Sequence, residues 1–265
     1  MVEADRLPPP SFEFSMAFQP VVDMHAGGKL FAYEALVRGP QGEGADTVFA
    51  RILPENAVAF DAACRERALQ MAASFGVRCR LCLNVSPSAI QHHRFGIHAT
   101  LEAARRGGWP VRRLIFELTE QEPITDIGKL ARWMAALRNR GVTIAVDDFG
   151  AGHAGLSNLL QLRPQMIKID MALVRGIDAD RSRQALVKGI VEACTAFNCA
   201  VIGEGVETEA EFLMLSGLGI GLMQGHLFAK PGFACLPEII RPTSLPVNGK
   251  GTVPPVHAAP PQFLS

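Results

Sequence analysis

Apolar and polar positions alternate with period two in several short runs of this chain, and stretches with helical spacing separate those runs. In residues 80–86, Leu81, Leu83 and Val85 share one face of an extended strand, and Cys82, Asn84 and Ser86 share the other. In residues 114–120, Leu114, Phe116 and Leu118 oppose Ile115, Glu117 and Thr119. The first face suits packing against helices. The second, polar or smaller, suits a barrel interior with an acid near its mouth. Strand-like runs also occupy 18–24, 29–38, 143–150, 166–171, 200–206 and 222–231. Segments 60–75, 99–106, 127–141, 182–197 and 210–219 read as helices, and a Gly-rich loop at 150–157 leads into a short helix.

Strands alternating with helices predict a parallel sheet with right-handed crossovers. Eight strand candidates in about 225 residues favour an α/β fold closed as a TIM-like (β/α)8 barrel over an open sheet. The first two runs meet at Gly27-Gly28 and read as a hairpin, which makes one neighbouring pair near the N-terminus antiparallel. Residues 1–15, with Pro8, Pro9 and Pro10, read as a flexible segment, 16–240 as one domain, and 241–265 as a disordered Pro/Gly-rich tail.

Composition narrows the function classes. The 265 residues hold 26 Lys and Arg against 26 Asp and Glu, so no basic excess drives general nucleic-acid binding. No apolar run approaches a membrane span, and the first fourteen residues lack the charged start and apolar core of a signal peptide, so a cytoplasmic protein is expected. The six cysteines are read as buried, reduced thiols. Cys79 and Cys82 form a CxxC, but residues three apart on a strand point to opposite faces and cannot share a metal. His92, His93 and His98 read as solvated surface. Arg80 faces inward near a strand start and reads as structural, while Asp170 shares the inward face of Lys168.

The chemistry gathers at strand ends. Glu34, Glu117, Asp147, Asp148 and Glu204 all stand there, with Lys168 among them, for a net formal charge of four negative. Like charges ~4 Å apart repel by roughly 4 kcal/mol at an effective dielectric near 20. Such a cluster is protonated or holds cations, and ionised carboxylates are the ligands Mg²⁺ and Mn²⁺ prefer. A bridging carboxylate that holds two cations is the core of a two-metal phosphodiesterase, and adjacent Asp147 and Asp148 can each reach an ion. Asn84 offers a neutral oxygen ligand. Lys168 can orient water or balance phosphate charge, and Arg38 can clamp a phosphate through its planar fork.

These residues carry a resemblance. Glu34-Ala35-Leu36 begins a series continued by LNVSP around Asn84, FELTE at 116–120, DDFGAG at 147–152, IKID at 167–170, EGVE at 204–207 and QG…KP from Gln224 to Pro231. In this order the chain resembles the EAL-domain family of cyclic-di-GMP phosphodiesterases over residues 16–235. The resemblance implies a TIM-like barrel with one reversed strand, and an enzyme that opens cyclic di-GMP to linear pGpG with two Mg²⁺ or Mn²⁺ ions, Ca²⁺ being inhibitory. It implies that Glu34, Asn84, Glu117 and Asp147 hold one ion. Asp147 and Asp148 hold the second, with Glu204 and Glu207 nearby, directly or through water. Lys168 positions the attacking water, and Glu204 is either a general base or a ligand. Arg38, Leu36, Gln19 and Gln224 contact substrate, and Glu120 anchors the loop after Asp148. A homodimer and a sensor or regulatory protein acting in trans are the partners it suggests. A domain that binds the nucleotide or a protein partner without catalysis is the alternative.

The chain departs from the family pattern at Gly39, where tryptophan is usual, at His153 and His226, where tyrosine is usual, and at Gly203, where alanine is usual. None of these positions removes a metal ligand. The EALVRG start and the stretch 167–178 are similar to the branch often fused to blue-light flavin sensors. Fifteen residues before the barrel leave no room for such a sensor, so a free-standing or excised domain is expected.

Overall fold

The computed structural model describes residues 12–86, 96–119, 126–150 and 156–242. The expected flexible N-terminal segment falls mostly outside these residues and the Pro/Gly-rich tail almost wholly so, as do His92, His93, His153 and the proposed anchor Glu120. No helix among the described residues is long and apolar enough to cross a membrane.

The chain opens with β1 (Ser15–Asp23), which turns at Gly27 and Gly28 into β2 (Lys29–Arg38). Both glycines have φ above +70°, a conformation that costs other residues energy. The pair is antiparallel, as the hairpin reading requires, with a register shift between Val21 and Val22. Then follow α1 (Ala45–Phe49), α2 (Ala57–Ser74), β3 (Arg80–Val85), α3 (Ile97–Arg106), β4 (Leu114–Leu118), α4 (Ile127–Arg138) and β5 (Thr143–Phe149). The second half adds α5 (Leu156–Leu162), β6 (Met166–Ile169), α6 (Met171–Val174), α7 (Arg181–Ala196), β7 (Ala200–Gly203), α8 (Glu209–Gly217), β8 (Leu222–Met223) and β9 (Gly232–Phe233).

Strands β2 to β8 are neighbours in chain order and parallel, and β1 closes the ring by pairing antiparallel with both β2 and β8. This is the closed eight-stranded α/β barrel with one reversed strand. The short β9 pairs with β1 as an addition that the sequence did not suggest. The strand expected over 222–231 is only two residues long. Beyond it, Gly225 lies so close to the backbone of Val206 that a Cβ there would sit 2.0 Å from the Val206 carbonyl oxygen. That approach turns the chain over the barrel mouth instead of extending the strand.

The period-two pattern sets the layers. Leu81, Leu83, Val85, Leu114, Phe116 and Leu118 are buried in the cluster beneath the helices. The barrel interior holds a separate apolar layer to which each of β1 to β8 contributes, through Val21, Ala32, Cys82, Ile115, Ala145, Met166, Ile202 and Leu222, with Phe31 and Ala200 in the same cluster. Burying one such side chain stabilises the fold by ~1.5–3 kcal/mol for the larger members. The helices contribute matching faces. Helix α2 buries Phe60, Ala68, Leu69, Met71 and Ala72, and also Arg65, which ion-pairs with Asp61 and donates through Nε to Thr100 Oγ1 on α3 at 2.8 Å.

No disulfide joins the cysteines, and they are not uniformly buried: Cys82, Cys194 and Cys199 are buried, Cys64 and Cys79 partly so, and Cys235 is exposed. Cys82 points into the interior layer and Cys79 packs on the outer cluster, so the CxxC is divided between two faces. Arg80 stacks its guanidinium 4.5 Å from the centre of the Phe31 ring. His98 is exposed.

Candidate active site

The site is the next layer up. Two residues beyond Ala32, Cys82, Ile115, Ala145, Met166, Ile202 and Leu222 of the parallel strands stand Glu34, Asn84, Glu117, Asp147, Lys168, Glu204 and Gln224. Two residues before Val21 on the reversed strand stands Gln19, directly opposite Glu34. Side chains two apart on a strand point the same way, so every strand delivers one polar group to a single plane at the C-terminal mouth. The apolar layer below closes that plane to water.

Lys168 is the hub. Its Nζ is 1% exposed at the side chain and lies 2.7 Å from Glu204 Oε1, and 3.2 Å from each of Glu34 Oε2, Glu117 Oε2 and Asp147 Oδ1. Burial opposes its charge, but Asp147, Glu117, Glu204 and Glu34 together hold its pKa well above the ordinary lysine value. Glu34 takes further hydrogen bonds from Gln224 Nε2 at 2.7 Å and Asn84 Nδ2 at 3.2 Å. Burial raises the Glu34 pKa, yet the Lys168 charge and the bonds from Gln224, Lys168 and Asn84 outweigh it and hold the group below the usual range. Burial pushes Glu117 and Glu204 well above that range. The charges of Glu34 and Asp147 add to the effect, and Lys168 opposes it.

Asp147 and Asp148 are adjacent, and on a regular strand they would face opposite ways. The β5–β6 register shifts between Val146 and Phe149, and Asp148 has φ +54°, in the left-handed region that aspartate tolerates better than most residues. Asp148 N–H donates to Asp147 Oδ1 at 3.0 Å. The bulge therefore turns both acids toward the mouth. Two groups of potential ligands result: Glu34, Glu117 and Asp147, then Asp147, Asp148 and Glu204, each with its oxygens within 4.8 Å of one another. Asp147 belongs to both. Donors of this kind, all hard oxygens with Asn84 beside them, fit Mg²⁺ or Mn²⁺. Glu117 Oε1 is buried with no hydrogen-bond partner, as an oxygen reserved for an ion would be.

Gln224 Nε2 also donates to Gln19 Oε1 at 3.1 Å, and Gln19 Nε2 donates to the Ala229 carbonyl at 3.1 Å. Both acceptors on Gln224 Nε2 require a donor, which fixes the amide orientation and leaves Gln224 Oε1 buried and unpartnered. A cleft of about 310 Å³ opens above this layer, lined by Gln19, Leu36, Asp148, Lys168, Glu204 and Gln224 among others.

Two expected residues are placed otherwise. Glu207, a predicted ligand, is in neither carboxylate group. Its side chain borders the cleft but is turned to Arg175, which it accepts from at 2.8 Å and through a second, shorter contact. Arg38, a predicted substrate contact, donates through Nη1 to the Val37 carbonyl at 2.7 Å and does not line the cleft. Asp170 lines the cleft with Lys168, as its inward face suggests, and also caps α6 by accepting from Ala172 N–H at 2.8 Å. Arg175, which lines the cleft, went unremarked in the sequence, as did Glu211, buried behind it, which the signature Thr208-x-x-Glu211 at the start of α8 announces as a helix capping box.

A barrel with one reversed strand carries at its mouth two carboxylate groups that share Asp147, a hard-oxygen donor set suited to divalent cations. The family model described as the EAL domain matches residues 10–231, and the chain belongs to the EAL domain family. A standalone EAL protein from Vibrio cholerae O395, solved in a cyclic-di-GMP-bound form, is 39% identical, with 87% of this chain and 97% of that one covered and a TM-score of 0.82. BlrP1 of Klebsiella pneumoniae in a manganese and cyclic-di-GMP complex is 32% identical, with 87% of this chain and 58% of that chain covered and a TM-score of 0.79. Among curated proteins, the blue light- and temperature-regulated antirepressor BluF of Escherichia coli (strain K12) is 28% identical, over 88% of this chain and 58% of its own length. The probable cyclic di-GMP phosphodiesterase PdeD of the same strain is 32% identical over 56% of this chain. The chain spans 58% of the length of BluF and 27% of that of PdeD.

Proposed function

We propose that this protein opens cyclic di-GMP to linear pGpG in a reaction that depends on two divalent cations, Mg²⁺ or Mn²⁺. The observation that carries the reading is the pair of carboxylate groups sharing Asp147 around Lys168. Glu34, Asn84, Glu117 and Asp147 would hold one ion, and Asp147, Asp148 and Glu204 the other. When bound, the ions supply charge stabilisation for the reacting phosphate and a more acidic water at neutral pH.

The chain's own groups do the rest. Lys168 is buried, held by four carboxylates and favoured in its charged form, so it is placed to face developing negative charge. Glu204 Oε1 accepts from Lys168 Nζ at 2.7 Å, which fixes this ligand of the second ion beside the ammonium. Gln224 Oε1 offers a neutral acceptor to a hydroxyl or amine of the nucleotide. The apolar layer beneath excludes water from below. A non-catalytic reading has one observation in its favour, the antirepressor role named for BluF. Against it stands the intact donor set.

The test is turnover with the metal varied. Mg²⁺ and Mn²⁺ support product formation, EDTA abolishes it, and Ca²⁺ permits nucleotide binding with little turnover because its larger, looser shell misplaces the water. Tight binding of cyclic di-GMP with no linear product in Mg²⁺ or Mn²⁺ promotes the receptor reading. Arg38 is tested separately. Arg38→Ala raises KM ~10-fold to ~100-fold with kcat nearly unchanged, as expected for a charged hydrogen bond to a phosphate lost equally from ground and transition states. For that role its guanidinium leaves the Val37 carbonyl. An unchanged KM removes Arg38 from the substrate site.

A further inference from the structure

We infer that Glu211, on α8 and outside the ligand layer, is a positioning residue that holds Glu204 against Lys168 and the second cation group. The inference rests on the two-cation reading above. Glu211 is 2% exposed, and its carboxylate accepts three backbone N–H groups: Gly176 at 2.9 Å through Oε1, and Glu207 at 2.9 Å and Thr208 at 3.0 Å through Oε2. Gly176 belongs to the segment that leaves β6, the strand of Lys168. Glu207 and Thr208 belong to the segment that leaves β7 immediately after Glu204. One buried carboxylate thus joins the exits of the two strands whose side chains meet at 2.7 Å.

The surroundings show that this junction is tight. A Cβ on Gly205 would lie 2.5 Å from Met171 Cβ, and Gly205 has φ +65°, so the two segments touch where only glycine fits. The Arg175–Glu207 ion pair spans the same two segments on the solvent side. On the other flank, Val206 N–H donates to the Gln224 carbonyl at 3.1 Å and Leu227 N–H to the Val206 carbonyl at 3.0 Å. The Glu204 segment is therefore clamped between the β6 and β8 exits. On the β6 side, Glu204 N–H donates to the Ile169 carbonyl at 3.2 Å, and beyond that bond the two exits are joined by the Arg175–Glu207 pair and by Glu211, of which only Glu211 is buried.

The two carboxylate oxygens have separable duties. Oε2 completes the α8 capping box with Thr208, whose Oγ1 accepts from Glu211 N–H at 3.2 Å. Oε1 alone makes the tie to Gly176. Glutamine serves a capping box as well as glutamate does. Glu211→Gln therefore keeps the cap through its single oxygen and sets an NH₂ against Gly176 N–H, cutting only the tie between the segments. Thr208→Ala does the reverse, weakening the cap and leaving the tie.

The experiment compares these variants with the wild type in Mn²⁺ titrations by calorimetry and in cyclic-di-GMP turnover, with melting temperatures measured on each. Glu211→Gln is expected to lower kcat and to weaken the second Mn²⁺ ion by ~10-fold to ~100-fold, the range seen when a residue supporting a ligand is lost. The first ion, KM and melting temperature change little. Thr208→Ala is expected to melt several degrees lower and turn over as the wild type does. In a Glu204→Ala background, adding Glu211→Gln costs nothing more, because the residue acts through Glu204. Wild-type Mn²⁺ binding and kcat in Glu211→Gln, or losses that multiply in the double variant, overturn the inference while the enzyme reading stands. A wild type that binds no Mn²⁺ and yields no product overturns both.

Discussion

Asp147→Asn is expected to give a folded barrel that binds cyclic di-GMP and does not open it. Asp147 is the one carboxylate common to both ligand groups, so its substitution removes a charged oxygen from each. The amide is isosteric and keeps an oxygen to accept from Asp148 N–H, so the bulge that turns Asp148 inward survives. Kcat is expected to fall by ~10³-fold or more, since a metal-activated nucleophile and the charge stabilisation are lost together. Mn²⁺ calorimetry should show the stoichiometry falling from two ions. Nucleotide binding in EDTA should hold or tighten, because the layer has lost a negative charge. Two tightly bound ions with near-normal product formation in Asp147→Asn would falsify the shared-ligand assignment.

Lys168→Ala separates the chemistry from binding and exposes a second property. The buried ammonium compensates four carboxylates, and its removal leaves them facing one another in a water-poor layer. Removing one partner of a buried ion pair typically costs ~3–5 kcal/mol. The metal-free variant should therefore melt well below the wild type, and saturating Mn²⁺ should recover much of the difference, because ions bound only to the folded state restore positive charge there. Kcat with Mn²⁺ should remain ~10²-fold to ~10³-fold down, with KM near normal, since Lys168 acts mainly in the transition state. Normal turnover with a raised KM would reverse the assigned roles.

Some of the site was plain in the sequence because it depends on local periodicity. Glu117 lies two residues after Ile115 and Lys168 two after Met166, and that spacing alone sends each pair inward on a strand. The hairpin was equally readable, because Gly27 and Gly28 mark the turn and the turn dictates that β1 is reversed. Gln19 could be set opposite Glu34 only once the register of that hairpin was known. The capping box at Thr208 and Glu211 is a four-residue signal, but that the same glutamate also reaches Gly176, thirty-five positions away, is not a property of any short segment.

The sequence by itself determined the alternation of strands and helices, the apolar face beneath the helices and the chemical character of the layer at the mouth, because each follows from side-chain type and a period of two or 3.6. Only the tertiary structure decided which carboxylates come together, since a bulge and a left-handed Asp148 bring two adjacent acids to one side. It alone decided that Lys168 touches four carboxylates, that Glu207 turns to Arg175 and that Arg38 turns to its own backbone. These outcomes depend on ring closure and on loops pressed together at the mouth, where contacts between residues far apart in sequence set direction and distance. Local propensity carries no information about either.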